Sequence, residues 1–69
     1  MTHQERRDEL IFRQGYYAAV ANIIRIHGEQ VIARDVLQQY GALNPRGIEK
    51  SDLKVLLPVM NEIIRLDKL

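Results

Sequence analysis

The sequence has no cysteine and no tryptophan, and only two histidines, one serine and one threonine. Without cysteine, disulfide bonds and cysteine-based zinc sites are excluded. Two histidines are too few for a metal cluster, so we expect neither a metal nor a cofactor. Thr2 and Ser51 both stand where they would cap helices, and no catalytic motif pairs a nucleophile with an acid or base. We therefore predict that the chain is not an enzyme.

The chain is also short, and it contains no long apolar segment. At 69 residues and 8.0 kDa it is expected to form one domain over residues 1–69, whose single core would be marginal without a partner. No apolar run approaches the roughly 18 residues of a membrane span, and the first ten residues are polar, unlike a signal peptide. We expect a cytoplasmic protein that does not enter a membrane.

The hydrophobic periodicity predicts an all-α fold, a small three-helix domain. The long N-terminal helix should cover residues 3–27, the short middle helix residues 32–40, and the C-terminal helix should follow an N-cap at Ser51. Gly28 is well placed to end the first helix. Pro58 interrupts the third helix, which we expect to continue as one Pro-kinked helix. A break near residue 57, with Pro58 restarting the helix, is the alternative.

Two of these helices carry more apolar residues than one core needs. On the first helix the apolar arc covers about half the circumference, with Tyr17 at its margin, and contains Phe12, Tyr16, Ala19, Val20, Ile23, Ile24 and Ile26. On the third, Val55, Val59 and Leu66 share a second face, about 120° or more from the core stripe. Contiguous exposed apolar patches mark contact surfaces. We therefore predict that Tyr17, Val55, Val59 and Leu66 contact a second copy in a homodimer, or a protein partner.

Two arginines are candidates for exposed contacts. Arg13 projects within the apolar arc, so it either extends its guanidinium to solvent or pairs with an acid across an interface, and we favour the first. Arg46 lies in the turn sequence Asn44-Pro45-Arg46-Gly47, and loops on rigid scaffolds often carry recognition. For Arg46 we favour a solvated turn residue over a recognition contact.

The net charge of +1 is spread evenly, and no third of the chain departs from neutrality by more than one charge. Nucleic-acid binders normally carry a basic stripe, so this balance disfavours nucleic acid as a partner. A helix-turn-helix-like element over residues 32–64 is the alternative. However, its connection of about ten residues exceeds the three or four of that motif. If DNA is bound, Arg6, Arg7 and Arg13 are the candidate contacts.

These features favour a small non-enzymatic protein-binding module, a dimeric regulator or inhibitor acting through apolar helical surface. In size and composition the chain resembles the small accessory proteins encoded by bacteria and their phages. A small dimeric DNA-binding transcriptional regulator is the second hypothesis, and a structural subunit of a larger assembly is the third.

Overall fold

The computed structural model describes residues 3–41 and 43–68. They form three helices, α1 (His3–His27), α2 (Gln30–Tyr40) and α3 (Lys50–Asp67), and each helix packs against both of the others. The prediction of an all-α, three-helix domain with a long first helix and a short second one is confirmed.

Glycines end the first two helices, as the sequence indicates. Gly28 adopts a φ of +65°, and its N–H donates to the Ile24 carbonyl over 2.9 Å, which satisfies one of the last carbonyls of α1. The α2 helix begins at Gln30, two residues earlier than predicted. The predicted cap at Thr2 lies outside the described residues.

The start of α3 differs from the prediction. The helix begins at Lys50, so Glu49 is the N-cap residue and Ser51 already lies in the first turn. The Ser51 hydroxyl donates to Glu49 Oε1 over 3.0 Å instead of capping the backbone. Farther along, α3 is one helix with Pro58 inside it, as expected. Proline lacks an N–H, so the Lys54 carbonyl one turn earlier has no helical donor.

The core lies between the three helices and is closed at one side by the α2–α3 loop. Each helix contributes residues spaced three or four apart, and the buried apolar side chains are those of Tyr17, Val20, Ala21, Ala33, Leu37, Ile48, Leu56, Val59, Met60 and Ile63.

The orientation of α1 about its own axis is not the one the apolar arc predicts. Tyr17 is fully buried at the centre of the core-facing side, whereas Phe12 and Ile26 are 63% and 71% exposed. The predicted apolar arc therefore extends beyond the core and leaves these two positions exposed. Ala21, which lies outside that arc, faces the core, and Arg13, which lies within it, is buried against the α2–α3 loop.

That loop contains a tight turn over residues 45–48. The Ile48 N–H donates to the Pro45 carbonyl over 3.1 Å, and Gly47 adopts a φ of +79°. A type II turn requires such a positive φ at its third position, where glycine is favoured. The buried side chain of Ile48 and the half-buried side chain of Leu43 attach the loop to the core.

Candidate interaction surfaces

The four residues predicted to form an interface do not share one surface. Tyr17 is fully buried and Val59 is 2% exposed, so the prediction that these two side chains contact a partner is wrong, because the intramolecular core covers them. Val55 is half-buried and packs against the core. Leu66 is 38% exposed.

Arg13 is buried rather than exposed, which corrects the expectation that it extends to solvent. Its Nη2 donates to the Arg46 carbonyl over 2.6 Å, and its Nη1 lies 3.5 Å from Glu9 Oε1 on the same helix. The guanidinium therefore joins α1 to the loop and is not available to a partner or to nucleic acid. Arg46 itself is exposed at the turn, as predicted.

Two further side chains of α1 hold the same loop. Gln14 Nε2 donates to the Gly47 carbonyl over 2.8 Å, and the Tyr17 hydroxyl accepts the Asn44 N–H over 3.0 Å. These side chains and Arg13 occupy three positions within five residues, so little more than one turn of α1 fixes the loop. The apolar periodicity did not reveal this role, since it depends on backbone groups about 30 residues away in the sequence.

An aromatic cluster joins α1 to the end of α2. Tyr40 is at the centre of this cluster, with ring centroids 4.9 Å from Tyr16, 5.9 Å from Tyr17 and 6.0 Å from Phe12. The Tyr16 hydroxyl also donates to the Val36 carbonyl. Aromatic pairs at these separations add about 0.5–1.5 kcal/mol each beyond the area they bury. The aromatic residues therefore stabilise the α1–α2 pair, and only Phe12 remains largely exposed.

The side of α1 opposite the core carries no exposed charge over about four turns. Between Glu9 and Arg25 the only charged residue is Arg13, and its side chain is buried. We call this side the outer face of α1; it consists of Ile11, Phe12, Gly15, Ala18, Ala19, Asn22 and Ile26. It spans about 22 Å at 1.5 Å per residue.

A groove of about 550 Å³ adjoins the outer face of α1, where α1 approaches the start of α3. Its walls combine small residues with polar ones, and they comprise Ile11, Gln14, Gly15, Ala18, Gly47, Glu49 and Asp52. A Cβ built on Gly15 would have no neighbouring atom within 4 Å. The outer face of α1 is therefore indented beside Gly15, with room for an incoming apolar side chain.

Ion pairs between helices neutralise several of the acidic side chains. Arg25 of α1 binds Asp52 over 2.7 Å, and Arg34 of α2 binds Glu62 over 2.9 Å and lies 3.4 Å from Asp35. The hydrogen bond that Arg34 donates to Glu62 raises the pKa of the guanidinium above its ordinary value, against a smaller lowering by desolvation. Asp52, Asp35 and Glu62 therefore pair with arginines of α1 and α2 and not with the basic residues of α3.

The basic residues of α3 remain on one side of that helix. Lys50, Lys54, Arg65 and Lys68 are exposed at helical spacing, and within the described part of the chain no carboxylate lies within ion-pair distance of them. Beside them runs an apolar row in which Leu57 and Ile64 are exposed and Leu53 is half-buried against the core. We call these seven residues the outer face of α3. The helical spacing puts Val55 and Leu66 on the opposite side of α3 from the apolar row.

No protein family, curated protein or solved structure matches the chain. Among residues 3–41 and 43–68, no group of three His, Cys, Asp or Glu side chains is placed to hold a metal ion. None of the helices in that part of the chain is long and apolar enough to cross a membrane.

Proposed function

We propose that the chain is a small, non-enzymatic protein-binding module of the cytoplasm that regulates or inhibits its partner through the outer face of α3. The observation that supports this proposal is the side-by-side arrangement of an apolar row and four basic side chains that have no acid partner among the described residues. Leu57 and Ile64 are 55% and 45% exposed, in a molecule that buries smaller apolar side chains such as Ala21 and Ala33.

The chemistry of this face specifies the kind of partner. Amphipathic helices bind other proteins by laying an apolar face against apolar residues, and flanking charges select the partner and speed association. Within the described part of the chain these four cations have no carboxylate partner, and their spread over about 27 Å of helix favours a partner that is acidic. The partner we propose is an acidic amphipathic helix, with its apolar residues on the Leu53–Leu57–Ile64 row and its carboxylates on the basic residues.

The basic residues of α3 are also the observation that favours DNA binding as a second candidate function. The even charge of the sequence is sorted by folding, so a basic edge exists that could approach phosphates. The nine residues between α2 and α3 still exceed a helix-turn-helix connection. Of the arginines predicted to contact DNA, Arg6 and Arg7 are exposed, while Arg13 is buried under the loop.

Binding of a synthetic amphipathic helix tests the proposed function. The probe has leucine on one face and glutamate on the other, and fluorescence anisotropy measures its dissociation constant at low and physiological salt. We expect Leu57→Asp, and separately Lys54→Glu combined with Arg65→Glu, to weaken binding by about tenfold or more, since each removes about 1.4 kcal/mol or more of contact energy.

The matched control is Arg46→Glu, which reverses an exposed charge away from α3 and should change the dissociation constant less than twofold. A second probe replaces every glutamate by lysine and should not bind. Equal binding of the two peptides, or no binding of the acidic one, would contradict the proposal. Tighter binding of duplex DNA than of the acidic peptide, with a steep loss at higher salt, would establish the second candidate instead.

A further inference from the structure

We propose that the outer face of α1 binds the same face of a second copy of this chain. The two α1 helices would lie antiparallel across a two-fold axis between Ala18 and Ala19. The proposal concerns α1 only and stands apart from the proposed function, which uses α3.

The outer face of α1 has the composition of a covered surface. Ile11, Phe12 and Ile26 are 59%, 63% and 71% exposed, and the one exposed charged residue between them along the helix is Arg25, which pairs with Asp52. A solvated helix in a chain with 28% charged residues would carry several charges over such a length. Gly15 adds to this because a glycine inside a helix costs about 0.5–1 kcal/mol relative to alanine. Close approach of another backbone is a physical reason for keeping it.

The accessible surface of the whole domain exceeds that of an average monomer by about the area that one partner buries in a dimer. Folded monomers of 8.0 kDa expose about 4,450 Å² on average. This chain exposes 5115 Å², an excess of roughly 650 Å². Each partner in a standard protein interface contributes about 800 Å². The excess is therefore close to one side of a dimer interface.

The order of residues along the outer face of α1 makes a second copy the matching occupant. Read from the midpoint between Ala18 and Ala19, the face has alanines at the centre and isoleucines at both ends, while Phe12 is related by the two-fold axis to Arg25. In an antiparallel pair, Ile11 of one copy lies opposite Ile26 of the other, and Gly15 lies opposite Asn22. A two-fold interface requires this self-complementarity, because one patch must fit itself.

The groove beside Gly15 gives the protruding isoleucine a place to pack. In the antiparallel arrangement, Ile26 of the second copy approaches Ile11 and the indentation between α1 and α3. The two-fold axis repeats this contact at the other end. Alanines at the centre let the helix axes approach to the lower part of the usual 8–10 Å range. Both ends and the centre of the outer face are thereby covered at once.

Sedimentation equilibrium at tens of micromolar tests whether this dimer exists. We expect the wild-type chain to be dimeric and Ala19→Glu to be monomeric, with the dissociation constant raised about 100-fold or more by burial of an unpaired charge on each copy. Ala19 is exposed on a helix, so the variant should keep its helicity by circular dichroism. Gln39→Glu makes a similar change at an exposed position of α2 and should leave the dimer intact.

The absence of cysteine allows single-cysteine variants to report the orientation of the two helices. Under mild oxidation Ala19→Cys should form a disulfide-linked dimer, since position 19 lies beside the two-fold axis. Ile11→Cys should not cross-link to itself, but it should cross-link when mixed with Ile26→Cys. A monomeric wild type, a dimer that Ala19→Glu leaves unaffected, or self-cross-linking of Ile11→Cys would each overturn the proposal.

Discussion

Gly47 offers a stability test whose size follows from the geometry. Its φ of +79° lies in the left-handed region, and an ideal Cβ at this position would stand 2.7 Å from Leu10 Cδ1 and 3.9 Å from Arg13 Nη2. Gly28 has a similar φ of +65°, but a Cβ there would meet no atom within 4 Å. The two glycines therefore share the backbone cost of a side chain and differ only in the contact.

The expected magnitudes separate these two contributions. A left-handed conformation costs a residue with a Cβ about 1–2 kcal/mol, and this applies to Gly28→Ala and Gly47→Ala alike. Carbon atoms prefer separations of about 3.5–4.0 Å, so Gly47→Ala also forces Leu10 from its rotamer, at about 0.5–1.5 kcal/mol. Gly47→Ala should therefore destabilise the fold by about 1 kcal/mol more than Gly28→Ala. In a domain of this size that difference lowers Tm by a further 4–8 °C or so.

Urea and heat denaturation followed by far-UV circular dichroism measure both variants. A double variant, Leu10→Ala with Gly47→Ala, removes the atom that the new Cβ meets, so the two substitutions should couple by about 1 kcal/mol in a double-mutant cycle. Equal losses for Gly28→Ala and Gly47→Ala, together with additive effects in the cycle, would refute the reasoning that Leu10 presses on this turn.

Three other substitutions test the contacts between elements. Arg13→Met should lower the free energy of unfolding by about 1–2 kcal/mol, measured by urea denaturation, because it deletes a charge-assisted hydrogen bond to the loop and keeps most of the volume. Asp52→Asn should cost about 1 kcal/mol in the same assay, since a buried carboxylate in the first turn of α3 loses its charge opposite Arg25; an unchanged midpoint would argue against that ion pair. Glu62→Gln should lower Tm by the same amount throughout the range of about pH 6–9, where glutamate stays ionised. The raised pKa of Arg34 keeps that pair charged until the pH exceeds the ordinary arginine range, so a Tm difference that varies with pH in this window would contradict the assignment.

The sequence was enough to predict the three helices, but it was not enough to predict which side of α1 faces the core. Helix ends at Gly28 and Gly41 follow from local backbone chemistry, and so does the continuity of α3 past Pro58, where the apolar spacing keeps its phase. The side of α1 that faces the core does not follow, because its apolar arc is wide enough to permit several rotations. The rotation adopted buries Arg13, and that burial depends on a carbonyl 33 residues away in the sequence.

The sequence predicted that α1 and α3 carry contact surfaces, but it did not predict which residues form them. An excess of apolar residues on α1 and α3 indicated contact surfaces, yet Tyr17 and Val59 are buried in the core. The charge balance along the chain likewise concealed the basic side of α3. Arg25 and Arg34 pair with Asp52 and Glu62 of α3, which are 27 and 28 residues away in the sequence, so the sequence alone does not show which basic residues keep no acid partner.

The fastening of the loop by Arg13 has a consequence for proteolysis. Arg46 presents an exposed basic side chain in a surface turn, which is the kind of site that trypsin-like proteases cut. The carbonyl that such a protease must attack is the one that Arg13 holds, and Gly47 follows it with a φ of +79° rather than an extended one. Cleavage after Arg46 therefore requires the loop to leave α1 first. The rate of that cleavage therefore measures how often the loop opens, although the Arg46 side chain is already exposed to solvent.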